Sequence, residues 1–159
     1  MEYKRDNAIK DITQESELLE ILKKAKYCHM GMIDGDTPYV LGFNFGFKDN
    51  TLYLHCAKQG HKLDVLRKNN RVCVSFDVDQ EFFSRHETVA CSWRMRYRSV
   101  LLWGQAEITD NYDEKLKALK IIMSQYSTQA FEFNAPSVNN VVIIKIKADK
   151  MTGRKFEMI

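Results

Sequence analysis

Apolar and polar residues recur along this chain with two different periods, and the switches between those periods mark its elements. After Thr13, Leu18, Leu19, Ile21, Leu22 and Ala25 return at helical spacing, with Glu15 and Glu17 in the first turn. This predicts an amphipathic helix capped by Thr13 and running to about Lys26. A weak alternation from Tyr27 to Ile33 stops at Asp34-Gly35-Asp36 and resumes after Thr37-Pro38 as a long run from Tyr39 to Phe47, the pattern of two antiparallel strands joined by a hairpin turn. A second turn at Lys48-Asp49-Asn50 leads into a strand from Thr51 to Ala57, a short helix from His61 to Asn69 with Leu63 and Leu66 inward, and a strand from Arg71 to Val78. Residues 79 to 92 have no clean period, which predicts a lid, a binding loop or an interface element. Beyond them Tyr97 to Ile108 reads as a long strand, and Asp110 caps a helix with Leu116, Leu119, Ile122, Met123 and Tyr126 on one face. Residues 127 to 138 form a loop around Pro136, Val141 to Ala148 is the last strand, and the chain turns out of it at Met151-Thr152-Gly153-Arg154-Lys155.

Six strands in mostly hairpin order, with three helices inserted, predict a mainly β fold with peripheral helices: a closed or nearly closed antiparallel barrel rather than a parallel sheet. A length of 159 residues fits a single domain spanning 1–159. The 45% hydrophobic and 28% charged residues are those of a soluble globular protein, and no apolar run is long enough to span a bilayer, so no membrane partner is expected. The N-terminal residues carry charge without a following apolar stretch, which makes the cytoplasm the expected compartment. The cysteines Cys28, Cys56, Cys73 and Cys91 lie far apart, and the adjacent pairs Cys28-His29 and His55-Cys56 leave a strand on opposite faces. Reduced thiols and no metal site are expected. A net charge of +3 does not argue for nucleic acid, since only Arg94-Met95-Arg96-Tyr97-Arg98 concentrates cations and three arginines on one strand also serve as an edge guard or a small-anion clamp.

The chemistry concentrates where strand gives way to helix at Tyr53-Leu54-His55-Cys56-Ala57-Lys58-Gln59-Gly60-His61-Lys62-Leu63. The free N–H groups and positive dipole end of a helix start favour a phosphate, Gly60 lets the backbone turn, and Lys62 adds an ammonium. His55 leaves the strand on the face opposite Leu54, five residues before Gly60, where its ring can share that anion; it is also the one candidate catalytic group. One strand earlier, Tyr39, Leu41, Phe43, Phe45 and Phe47 point one way and Val40, Gly42, Asn44 and Gly46 the other. The bare second face suits a flat ring whose edge bonds Asn44; a bulged or thin strand covered by the first helix shows the same pattern.

Taken in order, Pro38-Tyr39-Val40, Asn44-Phe45, Leu52 to Ala57, Gly60-His61-Lys62, Val72-Cys73-Val74, Tyr97-Arg98-Ser99-Val100, Gly104-Gln105-Ala106, Glu114-Lys115 and Met151-Thr152-Gly153 resemble the pyridoxamine-5'-phosphate-oxidase-like flavin-binding split-barrel superfamily. Within it the chain is most similar to the nitroimidazole-resistance proteins. The resemblance covers about Asp11 to Lys155. It implies a six-stranded split barrel that forms a homodimer with a flavin mononucleotide (FMN, with FAD as the alternative flavin) at each end of the subunit interface. Leu41, Gly42, Phe43 and Asn44 would line the flavin ring, and His55, Cys56, Ala57, His61 and Lys62 would surround the phosphate. Arg98, Ser99, Val100 and Trp103 would approach from the partner subunit. The implied activity is flavin-dependent reduction of the nitro group of a small-molecule electron acceptor; the alternatives are a non-catalytic flavin-binding stress protein and a haem-binding split barrel. Leu41-Gly42-Phe43 stands where relatives often carry a proline. The chain also lacks the Arg/His-bearing tail with which vitamin B6 oxidases hold substrate, which argues against that reaction.

Overall fold

In the computed structural model, which describes residues 9–156, the chain folds in the order β1 (Ile9–Ile12), α1 (Glu15–Lys24), β2 (Cys28–Asp34), β3 (Thr37–Phe43), β4 (Gly46–Lys48), β5 (Thr51–Ala57), α2 (His61–Lys68), β6 (Arg71–Ser84), β7 (Trp93–Thr109), α3 (Tyr112–Ser124), α4 (Ala135–Asn139) and β8 (Val141–Phe156). Among the described residues eight strands form one antiparallel sheet in the order β3-β2-β6-β7-β8-β5-β4, with β1 paired to the far end of β8. The two ends of that path, β3 and β4, are neighbours in the chain, separated only by Asn44 and Phe45. The sheet therefore wraps until its ends face each other across a two-residue break and stays open there, which is a split barrel by construction.

The strand count corrects the expected six. β1 adds one strand, and the long run from Tyr39 to Phe47 divides into β3 and β4. The lid expected over residues 79 to 92 is half strand: β6 continues to Ser84, after an irregularity between Val78 and Glu81 in which Asp79 takes φ 61°, and pairs Ser84 with Trp93 of β7. The last strand likewise continues through the expected turn at Met151 as far as Phe156, and α4 occupies the end of the expected 127 to 138 loop. Two caps also differ. Gln14, not Thr13, stands at the N-cap of α1, and α3 is capped by Asn111, whose Oδ1 accepts from the Glu114 N–H at 3.1 Å. Asp110 instead accepts from the buried Lys115 ammonium at 2.7 Å. The turn between β4 and β5 follows its sequence closely, with Asp49 and Asn50 both at positive φ, the geometry that suits the right-handed twist of a hairpin.

Inward residues of β2, β5, β6, β7 and β8, among them Met30, Leu54, Val74, Phe76, Leu102 and Ile144, fill the barrel, and α1 closes it with Leu18, Ile21 and Leu22. A smaller cluster outside the barrel packs Ala118, Ile121 and Ile122 of α3 on Tyr53 and Ile143. The end of α3 is also the fastening of the split. The Tyr126 hydroxyl accepts from the Phe45 N–H at 3.0 Å and donates to the Lys26 carbonyl at 3.0 Å, while Gln125 Nε2 donates to the Ala25 carbonyl at 2.7 Å and the Leu22 carbonyl at 2.9 Å. One helix terminus thus holds the break after β3 and the exit of α1 in fixed relation, and the pocket described next lies beside both.

Candidate functional site

β5 ends at Ala57, and Gly60 then takes φ 151°, ψ 164°, a conformation open to glycine alone, before α2 begins at His61. No side chain caps α2, and its first backbone bonds are the Leu63 and Asp64 N–H groups to the Gly60 carbonyl at 3.2 and 3.3 Å. The N–H groups ahead of them in the first turn are the orphan donors that an anion satisfies.

Beside this helix start lies an open pocket of about 440 Å³ lined by Tyr27, Gly42, Phe43, Asn44, His55, Cys56, Ala57, Lys62, Asn140 and Val141. Seven residues singled out in the sequence, Gly42, Phe43, Asn44, His55, Cys56, Ala57 and Lys62, therefore meet in one place, brought together by the break after β3, the end of β5 and the first turn of α2. Among the described residues no carboxylate lines the pocket. The Lys62 ammonium stands 5.8 Å from the centre of the Phe43 ring and is the pocket's permanent charge. Partial desolvation by its surroundings pushes the otherwise exposed His55 imidazole below its ordinary pKa. Burial raises the Cys56 thiol, against the opposing pull of Lys62 and Arg67, so Cys56 lines the site as a thiol and not as a nucleophilic thiolate. Behind the wall, burial pushes Cys28 up to about 12 and its Sγ–H points at the Phe43 carbonyl at 3.6 Å.

The other residues marked in the sequence lie elsewhere. Leu41 packs its side chain against the barrel core. His61 turns away from Lys62 toward the β2–β3 hairpin, where its Nε2 meets Asp34 Oδ2 at 2.7 Å and its ring packs edge-on to Tyr39. Val100 is fully buried in the core. Arg98 is spent within its own chain, on Asp79 at 2.6 Å, Glu20 at 3.3 Å and Glu17 at 3.6 Å. Ser99 and Trp103 share the outward face of the sheet with Gly42, because pairing carries the row Leu101, Ser75, His29, Gly42 across β7, β6, β2 and β3 between them. Tyr27, Asn140 and Val141 are pocket residues that sequence reasoning missed. The last two are reachable only through the pairing of Val141 with Ala57, and Tyr27 only through its position across from the bare Gly42.

Comparison with known proteins agrees with this architecture. The sequence matches the pyridoxamine 5'-phosphate oxidase family over residues 14–155. A candidate 5-nitroimidazole antibiotic resistance protein from Bacteroides thetaiotaomicron is 34% identical, with a TM-score of 0.81 over 93% of this chain and 89% of that one. An FAD and haem binding protein from Mycobacterium smegmatis has a TM-score of 0.80 at 17% identity, over 94% of this chain and 74% of that one, and shares the fold. So does the flavocytochrome Anf3 from Azotobacter vinelandii, with a TM-score of 0.77 at 17% identity over 94% of this chain and 70% of that one. No curated protein matches the chain. A family match that runs from the start of α1 to the end of β8, joined to a relative one-third identical with the same fold, establishes that the chain belongs to the pyridoxamine 5'-phosphate oxidase family.

Proposed function

We propose that this protein is a homodimeric FMN-dependent oxidoreductase that reduces a small-molecule electron acceptor of the nitroimidazole type. The observation that carries the reading is the single pocket that joins the uncapped, glycine-led start of α2 and Lys62 to the Gly42-Phe43-Asn44 strand end. Its volume of about 440 Å³ falls within the range of small-molecule sites, and its lining offers what FMN would require: a cation from the first turn of α2, apolar and aromatic side chains, and the amides of Asn44 and Asn140. The described lining residues include no carboxylate, which fits a phosphate dianion that an acidic neighbour would repel.

In this reading Lys62 and the first-turn N–H groups of α2 hold the phosphate, and His55 completes its shell through one ring nitrogen. Asn44 offers an amide to the polar edge of the ring, where electrostatic stabilisation of a developing negative charge has the largest effect on rate. Phe43, Val141 and Tyr27 line the same pocket and would help to exclude water from a bound ring. A bound flavin supplies the electron transfer from a reduced donor to the nitro group, and the protein supplies position and polarity. Dimerisation is supported by the exposed apolar residues on the outward sheet face, Ile33, Val40 and Leu101 around the half-buried Trp103, on strands that adjoin the pocket.

The test is direct. The purified protein is given FMN and, separately, FAD; its absorption spectrum and mass in solution are measured, and the flavin-loaded protein is reduced and mixed with a 5-nitroimidazole. A yellow dimer whose reduced form is reoxidised by the nitro compound without oxygen supports the reading. A yellow protein that no acceptor reoxidises leaves flavin binding without catalysis, and a Soret band in place of flavin absorption overturns the proposal in favour of haem.

A further inference from the structure

The bare face of β3 is already occupied. A Cβ built on Gly42 would lie 2.2 Å from the Tyr27 hydroxyl oxygen and 2.5 Å from Cε1 and Cζ, so the tyrosine ring rests directly on the glycine. Tyr27 follows the exit of α1, and the backbone ahead of it is pinned by Tyr126 on the Lys26 carbonyl and by Gln125 on the Ala25 carbonyl. Tyr27 as a whole remains 52% exposed. It meets His29 edge-on at 5.4 Å and lines the pocket together with Asn44, His55 and Lys62. A ring held at its base, laid on the strand and open on the pocket side has the form of a wall. Any side chain at position 42 would lift it off the strand and into the space it borders.

Resting on the FMN reading above, we infer that Tyr27 is a cofactor-contacting residue: the flavin ring lies against Tyr27, and Gly42 is the slot that lets the tyrosine lie back and keep the pocket open. A flat, electron-poor ring beside a phenol gains offset-stacking energy beyond its buried area, whereas a ring laid on bare backbone would not. The inference reverses the role that a glycine in this position suggests. Gly42 acts through Tyr27 and not by touching the ligand.

A double-mutant cycle separates the two roles. FMN is titrated into the full-length wild type, Gly42→Ala, Tyr27→Ala and the double variant, with thermal melting to establish that each is folded. Tyr27→Ala is expected to weaken FMN about two- to tenfold, the loss of one aromatic contact. Gly42→Ala is expected to weaken it by about tenfold or more, through a displaced ring, and the double variant to return to the affinity of Tyr27→Ala alone. Bound FMN should also fluoresce more strongly in Tyr27→Phe than in wild type, because a phenol stacked on a flavin quenches its emission by electron transfer and a benzene ring does not. A double variant as weak as the product of the two single losses, or no gain in emission from Tyr27→Phe, overturns the inference while flavin binding stands. A wild type that takes up no FMN overturns the inference and the broader reading together.

Discussion

Gly46→Ala tests the packing that closes the split, and its effect can be worked out before any ligand is considered. Gly46 opens β4 beneath α3, and a Cβ there would lie 2.7 Å from the Ile121 carbonyl carbon, the Ile121 carbonyl oxygen and the Ile122 Cα. Relaxed carbon contacts sit at about 3.5–4 Å, so strand and helix must part by roughly 1 Å. Neither can do so locally. α3 is seated by Ala118, Ile121 and Ile122 on Tyr53 and Ile143, and its end is tied by Tyr126 to Phe45 at 3.0 Å, one residue from the substitution. Overpacking of this kind costs about 1–3 kcal/mol. Alanine's smaller entropy loss on folding offsets about 0.5–1 kcal/mol of that. A net loss of about 1–2 kcal/mol corresponds in a chain of this size to a fall of roughly 2–8 °C in Tm. Gly42→Ala is the control, since the nearest neighbours of its added methyl are atoms at the far end of the half-exposed Tyr27, which can swing away, and the stability change should stay within about 0.5 kcal/mol. Thermal melting of both variants without flavin decides the matter. Equal losses, or a Gly46→Ala protein as stable as wild type, would refute the argument that the two glycines serve different neighbours.

Lys62→Ala should weaken FMN by about ten- to a hundredfold through loss of a charge-assisted contact, while Lys58→Ala, whose ammonium pairs with Asp110 at 3.5 Å, should do much less; equal effects in an FMN titration would remove Lys62 from the site. Tyr126→Phe should cost about 1–3 kcal/mol in urea unfolding, because the Phe45 N–H and the Lys26 carbonyl both lose their partner. Burial alone would raise the Asp79 carboxyl, but hydrogen bonds from Lys24 and Arg98 outweigh it and hold Asp79 below the ordinary carboxylate range. A depressed folded pKa gives stability that is present above the unfolded value of about 3.9 and is lost as pH falls below it. Asp79→Asn should therefore be less stable than wild type at pH 7, and the difference should vanish in acid; an unchanged gap at both pH values would show that the ion pairs do not act through the carboxylate charge.

Period and turn chemistry carried most of the fold into the sequence, and the failures have local causes. The alternation of Phe43, Phe45 and Phe47 runs in phase through the Asn44-Phe45 break, so nothing in it announces that β3 and β4 belong to opposite ends of the sheet. Residues 79 to 84 lack one-sided burial because that part of β6 pairs with β7 alone, and a ribbon wet on both faces has no reason to alternate. The helix start at Gly60 is legible, yet His61 and Lys62 are not interchangeable there. Successive helical residues point about 100° apart, which sends Lys62 to the pocket and His61 to Asp34. The sequence also gives Gly42 and Gly46 the same appearance. One is bare to receive a tyrosine and the other to admit a helix backbone, and only tertiary contacts made by Tyr27 and Ile121 tell them apart.

Arg98 shows how that distinction between contact and support extends to the rest of the site. On β7 it alternates with Ser99 and points the other way, toward α1, where Asp79, Glu20 and Glu17 surround it and its side chain is only 11% exposed. Burial would lower its pKa, but hydrogen bonds to Asp79 and Glu20 outweigh burial and raise it, so the guanidinium stays charged and committed. The same cluster includes Lys24 on Asp79 and Lys155 on Glu17, and it joins the irregular turn of β6 to α1, whose exit carries Tyr27. An arginine so engaged supports the pocket through α1, a role distinct from contact with a flavin held by another subunit. Arg98→Met should accordingly lower stability by on the order of 2 kcal/mol, the worth of a charge-assisted hydrogen bond, and should do so equally with and without FMN. If Arg98 instead reached a partner's cofactor, the variant would lose the stabilisation that FMN confers, because a ligand stabilises the folded state only as far as it still binds it. Melting curves of the variant at saturating FMN and at none separate the two, and a rise in Tm on adding FMN that matches wild type would place Arg98 among the supports.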